Sequence, residues 1–550
     1  MAVSPDTFCP RMSQPATSRP PCTFPAREGH AEIIDHLTAF PHYKYGTKLS
    51  DSLASLCPEI LNLILNHARM LHPECLFSLR LVCRRFNSVI TPVAYHTIEL
   101  NDTLLSPRAR YLQTGALALV FQYCRHVIVR SDLHPSRVTR VLSQIQSLES
   151  IRFRYVAQPC SVSRSWFPSE VLDLDKILQC GTQLHVENLP ISSTRRDLDD
   201  AYFDDRLAKH LVSLKMSHSD PPLTTRSGSL KHLIMHSPNL RTLHYRDLGI
   251  GTNFCFHTAE RMPPLVDLVL KSYNWQHSAD SARRHWDFSK MRSLKLIDIP
   301  TSNFLDSVHL PDFALLETLE VKDYGGHLQD TWPSATRRLY DLVGHHVRAL
   351  KTLDVTCHTK LFGLDAIRQH GLSLQVLRFR DHVGFEHDSK RCPTLSPVDL
   401  ALLSAQLTRL HTLELDMDVS PSGLGDFLAA VASFPRLDTL TLHVQTCIRS
   451  LTSVDQRTDP DYHATIDLLN RLLCLRASLK GRRSWRRITI NVGGWRPAMV
   501  RRVGHDWKQR NREGVFAERC FVLERNRRGL YEIREEEAFE SSRRRSPIQL

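Results

Sequence analysis

A six-residue pattern recurs along most of this chain: a leucine, two variable residues, a leucine, one variable residue and a third apolar residue. The copies begin at Leu148, Leu211, Leu240, Leu265, Met291, Leu316, Leu350, Leu374, Leu410, Leu437 and Trp485. From Leu211 onward the first residues are 29, 25, 26, 25, 34, 24, 36, 27 and 48 positions apart. A period near 25 residues is typical of chains that stack small units, none of which can bury its apolar face alone.

The fourth and sixth residues of each copy indicate a strand. They lie two positions apart, so on an extended backbone both side chains point to one side of a sheet, and the residues between them point to the other. Strands of successive units would pair in parallel, with helical segments covering one side. We therefore expect an α/β solenoid over residues 98–500.

The segments between the copies carry helix signals. Ser396 and Pro397 form a capping residue followed by a first-turn proline. Gly371 follows a predicted helix at 364–370, where a glycine commonly ends a helix. Residues 461–475 form the longest amphipathic candidate, and a long helix there accounts for the step of 48 residues before the last copy.

The array resembles the leucine-rich repeats. The asparagine or cysteine that usually closes each repeat in that family is mostly missing here, so the resemblance implies an irregular solenoid rather than a smooth one. The family uses such solenoids to bind other proteins. An ordinary α/β domain with alternating strands and helices is the alternative.

Residues 50–97 show a different pattern, which predicts helices only. Pro58 suits the first turn of a helix, where its missing N–H needs no partner, and Glu59 suits the positive end of the helix dipole. A second amphipathic stretch follows the His-Pro pair at 72–73. Its apolar residues are Leu76, Leu79, Leu81, Val82 and Phe86.

This helical block resembles an F-box, the small module that joins a protein to a cullin-based ubiquitin ligase. The start of the family motif, displaced by one residue, is matched by Leu56, Pro58, Glu59, Ile60 and Leu61. The family's most recognisable run is matched by Leu81-Val82-Cys83-Arg84-Arg85-Phe86. The closing segment at 90–95 is similar to the variant common in fungal F-box proteins. An unrelated helical subdomain is the alternative.

The resemblance implies a substrate receptor of an SCF-type ubiquitin ligase, which would bind the Skp adaptor and, through it, the cullin subunits. The residues expected at the adaptor contact are Leu56, Pro58, Ile60, Leu61, Leu81, Val82 and Phe86. The solenoid would present an unknown protein target. A solenoid scaffold without a ligase role is a second possibility.

The target contact is expected on the strand residues that alternate with the inward leucines. These candidates are Arg246, Lys322, Asp354, Arg378, Arg380, Glu414 and Asp416. Their charges are of mixed sign, which favours a protein ligand with patterned charge over a uniformly charged polymer.

Both ends of the chain differ in composition from the body. Residues 1–49 are rich in proline and serine and are predicted to be disordered. The net charge is +13, and residues 481–550 alone hold 18 Lys and Arg against 9 Asp and Glu. Residues 501–550 are expected to form a basic cap and tail, and nucleic-acid binding through this end is a third possibility, less favoured than the other two.

The sequence contains no recognisable catalytic or metal-binding motif, so we expect neither an enzyme nor a bound cofactor. Its 14 cysteines lack zinc-ligand spacing and are typical of a reducing compartment. No secretory signal and no apolar stretch long enough to cross a bilayer are visible, which predicts a cytoplasmic or nuclear protein without a membrane partner.

Overall fold

The computed structural model of the chain describes residues 56–537 apart from 73, 107–113, 157–170, 173–176, 178, 190–204, 217–226, 247–252, 323–331, 382–392, 418–422, 445–459, 493–518 and 527. The chain divides into two compact units, residues 1–61 and 62–550. The described part of the first unit is 56–61, where the first helix begins. The segment 1–49 that was predicted to be disordered, and the tail beyond Glu537, lie outside the described residues.

The described strands form one sixteen-stranded sheet in which every strand lies beside its neighbours in sequence. The strands are β1 (Thr97–Glu99), β2 (His126–Arg130), β3 (Ser150–Arg154), β4 (Gln183–Leu189), β5 (Leu211–Met216), β6 (Thr242–Arg246), β7 (Asp267–Lys271), β8 (Ser293–Ile297), β9 (Thr318–Lys322), β10 (Thr352–Cys357), β11 (Val376–Asp381), β12 (Thr412–Met417), β13 (Thr439–Val444), β14 (Arg487–Val492), β15 (Arg519–Arg525) and β16 (Tyr531–Glu537). β1 to β14 pair in parallel, while β15 and β16 are antiparallel.

Helices precede the first strand and connect most of the parallel strands. They are α1 (Pro58–Leu71), α2 (Cys75–Leu79), α3 (Arg84–Ala94), α4 (Asp102–Leu105), α5 (Thr114–Tyr123), α6 (Pro135–Gln144), α7 (Asp205–Ala208), α8 (Ser227–Met235), α9 (Ala279–His285), α10 (Thr301–Ser307), α11 (Trp332–Asp341), α12 (Leu364–Arg368), α13 (Pro397–Gln406), α14 (Leu424–Ala432) and α15 (Pro460–Ser478). The Ser396 hydroxyl accepts the Asp399 N–H at the start of α13, as the sequence predicted. The predicted long helix is α15, with 19 residues.

The inward leucines set the register of the sheet. The fourth and sixth residues of all eleven copies lie on strands. The fourth residues of neighbouring strands stand side by side, as Leu319, Leu353 and Leu377 do in β9 to β11. These three side chains are fully buried, and one continuous core contains both them and helix residues such as Leu403 and Leu428. The expected α/β solenoid is therefore confirmed at the level of its architecture.

Three of the parallel strands were not predicted from the sequence. β1, β2 and β4 show the same spacing, but their copies begin with Tyr95, Cys124 and Gly181. Cys124 nonetheless occupies a core position, and burial raises the pKa of its thiol to about 11. The spacing alone, with any residue allowed at the first position, would have found these three strands.

The sheet continues past residue 500, where the sequence analysis placed the boundary between solenoid and C-terminal cap. β15 pairs antiparallel with β14, and β16 with β15. Phe521 and Leu523 in β15 are buried and continue the inward rows of the parallel strands. The hairpin thereby covers the last repeat, which a solenoid end requires because its core would otherwise face water.

An aromatic cluster fills the core between β6 and β9. Its rings are Tyr245, Phe254, Tyr273, Trp275, Trp286, Phe288, Phe304 and Phe313, with successive centroids about 5–6 Å apart. At its edge the Tyr273 hydroxyl accepts the Phe254 N–H at 2.8 Å and lies 2.8 Å from His277 Nε2, which accepts its proton when the ring is neutral. Burial lowers the pKa of His277 from 6.5 to about 4.

His277 should make the folded protein sensitive to acid. Between pH 6.5 and about pH 4 the unfolded chain binds a proton at this residue and the folded chain does not. The contribution of neutral His277 to stability is therefore complete above pH 6.5 and is lost as the pH falls to about 4. A change of this size amounts to about 3 kcal/mol. Urea denaturation of the wild type and of His277→Gln at several pH values should show a shallower decline for the variant. Parallel declines would contradict this assignment.

Gly371 has a different role from the helix-ending one predicted for it. α12 ends at Arg368, and the φ angle of Gly371 is not in the left-handed region that a terminal glycine usually adopts. A Cβ atom at this position would lie 2.7 Å from the backbone oxygen of Gln406, the last residue of α13. The glycine is needed because two neighbouring repeats approach each other closely here.

Substituting Gly371 by alanine should therefore destabilise the solenoid by about 1–3 kcal/mol, because the added methyl group meets backbone that cannot rotate away. Gly425 in α14 is a matched control, since a Cβ atom there would meet nothing within 4 Å. Gly425→Ala should leave stability unchanged or raise it by up to about 1 kcal/mol, because alanine favours helix. Thermal melting of both variants tests this, and equal melting temperatures would refute it.

Candidate functional site

The block that resembles an F-box folds into helices α1, α2 and α3. The second apolar stretch was predicted as one amphipathic element, but it breaks into α2 and α3. Leu81 N–H bonds the Ser78 oxygen and Val82 N–H bonds the Leu79 oxygen, which closes a turn after α2. Cys83 then begins α3, since its sulfur accepts the Phe86 N–H at 3.5 Å. The break places Leu81 and Val82 in a turn with satisfied backbone groups.

The predicted adaptor residues differ in their access to solvent. In the first unit Pro58 and Ile60 are exposed, Leu56 is half-buried and Leu61 is buried. In the second unit Leu81 is 87% exposed and Val82 is 64% exposed, while Phe86 is half-buried.

Further exposed apolar side chains in the second unit were not among the predicted contacts. They are Leu63, Ile64, Met70, Leu71 and Phe77. In the part of α1 from residue 62 onward, Leu65 alone among the leucines is buried. The sequence signal for these residues is that apolar side chains occur on more than one side of α1. A helix of this kind is typical of an element with a second packing partner.

A second candidate site lies on the sheet face opposite the core. Charged side chains from six adjacent strands form a row that we call the charge ladder, and its members are Lys295, Glu320, Lys322, Asp354, Arg378, Glu414 and His443. They alternate with the inward leucines, as the strand period requires. Three of the predicted target residues lie outside this row: Arg246 on β6, Arg380 on β11 and Asp416 on β12.

The ladder joins opposite charges from one strand to the next. Lys322 Nζ lies 2.7 Å from Glu320 Oε1 and 2.8 Å from Asp354 Oδ2. Arg378 on β11 contacts the strands on both sides, with Nη1 3.1 Å from Asp354 Oδ2 on β10 and Nε 3.2 Å from Glu414 Oε2 on β12. The charges of these predicted target residues are therefore satisfied within the sheet.

Burial and ion pairing shift the pKa values of the ladder residues in opposite directions. Burial alone would lower the pKa of Lys322, but the carboxylates of Asp354 and Glu320 outweigh it and hold that pKa above its ordinary value. Burial raises the pKa of Asp354, in part offset by Lys322. His443 is also buried, which lowers its pKa, and its neutral ring can donate to Glu414 Oε1 at 2.8 Å and accept from Asn491 at 3.4 Å.

Arg380 and Asp416 form a second pair, two residues further along their strands. Arg380 Nη2 and Nε lie 2.9 and 3.1 Å from Asp416 Oδ1, and the Asp381 N–H donates to Oδ2 at 2.7 Å. The Asp416 side chain is only 3% exposed. Its carboxylate is therefore held by three donors and depends on the Arg380 charge.

Arg246 stands apart from the other predicted target residues. It lies on β6 in register with Lys271, and two strands, β7 and β8, separate it from Lys322. Among the described residues no carboxylate forms an ion pair with it. Arg246 is therefore not part of the network formed by the other predicted residues. Lys295, which does belong to the network, was not predicted, although it alternates with the inward leucines of β8.

The cationic and anionic side chains of the charge ladder differ in their exposure to solvent. The side chains of Lys295 and Arg378 are 38% and 34% exposed, whereas those of Asp354 and Glu414 are 4% and 10% exposed. The formal charges balance, but the cationic ends are outermost. A partner that meets this face would first contact ammonium and guanidinium groups.

The stacked parallel strands and their connecting helices define an α/β repeat solenoid. Neither a comparison with protein-family models nor a search of curated proteins finds a match to this chain. No helix in the described part of the chain is long and apolar enough to cross a membrane. The described residues also contain no group of His, Cys, Asp and Glu side chains that could hold a metal ion.

Proposed function

We propose that the protein is a substrate-recognition subunit of an SCF-type cullin ubiquitin ligase. Helices α1 to α3 would bind the Skp adaptor, and the solenoid would bind a protein target. The observation that carries this proposal is the turn between α2 and α3, which belongs to the run most similar to the F-box and leaves Leu81 and Val82 exposed.

The exposed turn supports a binding role on energetic grounds. Burying a side chain of this type contributes roughly 1.5–3 kcal/mol, and a few central residues usually dominate an interface. Leu81 and Val82 are adjacent, so both could enter one partner surface. Their backbone N–H groups are bonded within the turn, which means that little ordering is needed on binding.

The proposed receptor would act by proximity. Holding a target near a charged ubiquitin raises the effective concentration of its lysines without the receptor forming any bond itself. For the target, the outermost cations of the charge ladder favour a surface that carries acidic side chains. Of the predicted target residues, Arg378 would contact the target, and Lys322, Asp354 and Glu414 would support this surface from within.

Co-purification tests the proposal. The full chain, mixed with the Skp adaptor at micromolar concentration, should elute as a one-to-one complex in size-exclusion chromatography with light scattering, and addition of the cullin should shift the complex further. A scaffold without a ligase role would elute alone under these conditions while still recovering target proteins from an extract. That result would overturn the proposed function.

A further inference from the structure

A cavity of about 470 Å³ lies at the edge of the sheet where β14 begins and the β15–β16 turn ends. Its wall includes Arg483, Arg486 and Arg525, together with Asp438 and Asn526. Basic residues are concentrated in this part of the sequence, but they belong neither to the proposed adaptor contact nor to the target face. Three arginines in the wall of one cavity suit an anionic ligand.

Two basic segments that are 40 residues apart in sequence build this cavity. The first connects α15 to β14 and contains Gly481, whose φ of 76° is in the left-handed region. The second is the β15–β16 turn, where Gly529 has a φ of 85°. The Arg525 N–H donates to the Arg486 oxygen at 3.0 Å, so the backbone joins the two segments directly.

The turn that carries Arg525 is held by its own hydrogen bonds. The Asn526 side-chain oxygen accepts the N–H groups of Arg528 and Leu530, each at 3.0 Å. On the other side, the Arg486 N–H donates to the Asp438 backbone oxygen at 2.8 Å. Because both segments are fixed before any ligand binds, their arginines are placed with little loss of entropy on binding.

The charge of the cavity wall is not balanced by protein. Asp438 is the one carboxylate in the wall, and its nearest contact with Arg483 is 3.9 Å long. Arg486 forms no ion pair with any described residue, and the Arg525 Nε donates to the Gly529 backbone oxygen. The three arginines and one aspartate leave a formal charge of +2 on the wall.

The geometry points to a binding site for a phosphate monoester in this cavity, which we call the arginine cavity. A dianion matches the excess charge of the wall, and guanidinium groups bind phosphate oxygens through paired N–H donors. The phosphate could belong to a free phosphorylated compound or to a phosphorylated protein side chain. Both have the same recognition chemistry.

The structure disfavours single-stranded nucleic acid at this cavity. Such ligands are usually held by aromatic rings on which bases stack. Trp485 is the aromatic residue in the wall, but it is fully buried and the Arg476 guanidinium lies 4.6 Å from its ring centre. Its ring therefore cannot receive a base, which leaves the arginines as the recognition groups.

Calorimetry with the full chain at constant ionic strength tests the arginine cavity. The probes are phenyl phosphate, a short peptide with one phosphoserine, the same peptide without phosphate, and a 12-nucleotide single strand. We expect one saturable site for the phosphate probes and none for the unmodified peptide. If the phosphopeptide binds at least ten times more tightly than phenyl phosphate, the source is a protein side chain; comparable affinities indicate a free compound.

The matched variants are Arg483→Gln with Arg486→Gln and, as a control, Arg283→Gln with Arg284→Gln, a second exposed arginine pair that lies on α9. The first pair should weaken phosphate binding at least tenfold, and the control should change it less than twofold. Melting curves test whether both double variants fold. If the Arg483→Gln, Arg486→Gln variant does not fold, phosphate binding is measured with the single variant Arg486→Gln instead. Any of three results would overturn the proposal: phosphate binding that does not saturate, equal phosphate affinities of all variants, or tighter binding of the oligonucleotide than of the phosphate probes.

Discussion

Replacing Leu81 and Val82 together by alanine is expected to weaken binding of the Skp adaptor about a hundredfold and to remove the adaptor from a pull-down. The two side chains are 87% and 64% exposed in the free protein, so each would become buried only in a complex. Losing most of the apolar area of both removes about 3 kcal/mol, which corresponds to this factor. Binding of purified adaptor to the full chain, measured by calorimetry, gives the affinity directly.

A matched control separates this contact from a general effect of removing exposed apolar groups. Leu372 is 82% exposed and Val398 is 69% exposed, and both lie between repeats far along the sequence from α1 to α3. The Leu372→Ala, Val398→Ala variant should bind the adaptor as the wild type does. Both variants should keep wild-type stability within about 0.5 kcal/mol, because exposed positions contribute little to folding. Unchanged adaptor affinity in the Leu81, Val82 variant would refute the proposed contact.

Reversing the charge of Arg380 is expected to destabilise the solenoid by about 3–5 kcal/mol. The substitution Arg380→Glu leaves the buried Asp416 carboxylate without its ion pair and places a second carboxylate beside it. Breaking one partner of a buried pair typically costs this much, because the remaining charge stays away from water. Urea denaturation followed by circular dichroism measures the loss.

The control for this experiment is Arg246→Glu. Arg246 forms no ion pair with a described residue and lies in register with Lys271, so the reversal should change stability by less than about 1 kcal/mol. Equal denaturation curves for the two variants would contradict the role assigned to Arg380. The same stability measurement is needed when the target face is tested. Lost target binding in an Arg378 or Arg380 variant is informative only if the solenoid of that variant remains folded.

The repeated leucine pattern was enough to predict the solenoid because it reports a local property of each strand. Residues two positions apart share a face of any strand, whatever pairs with it. Leu243, Leu268 and Leu294 were assigned to strands on this basis, and they occupy adjacent buried positions. The strands that begin after Tyr95, Cys124 and Gly181 were not predicted, although their apolar residues have the same spacing.

The candidate sites depended on information that no local pattern contains. The sequence listed Arg378, Asp354 and Glu414 as charges facing solvent, and only the register of three strands shows that they pair with one another. Gly371 looked like the end of a helix, but the reason for the glycine is the carbonyl of Gln406 in the next repeat.

The sequence by itself determined the alternation of apolar and polar residues, the near-regular period and hence the stacked strands, since each repeat can bury its leucines only against its neighbours. Tertiary structure decided which charges meet, which apolar side chains stay exposed and where basic loops join. Arg486 and Arg525 become neighbours only because the β15–β16 hairpin folds back onto β14. Contacts between distant segments follow from strand register and chain reversal, and neither is encoded in a short stretch of sequence.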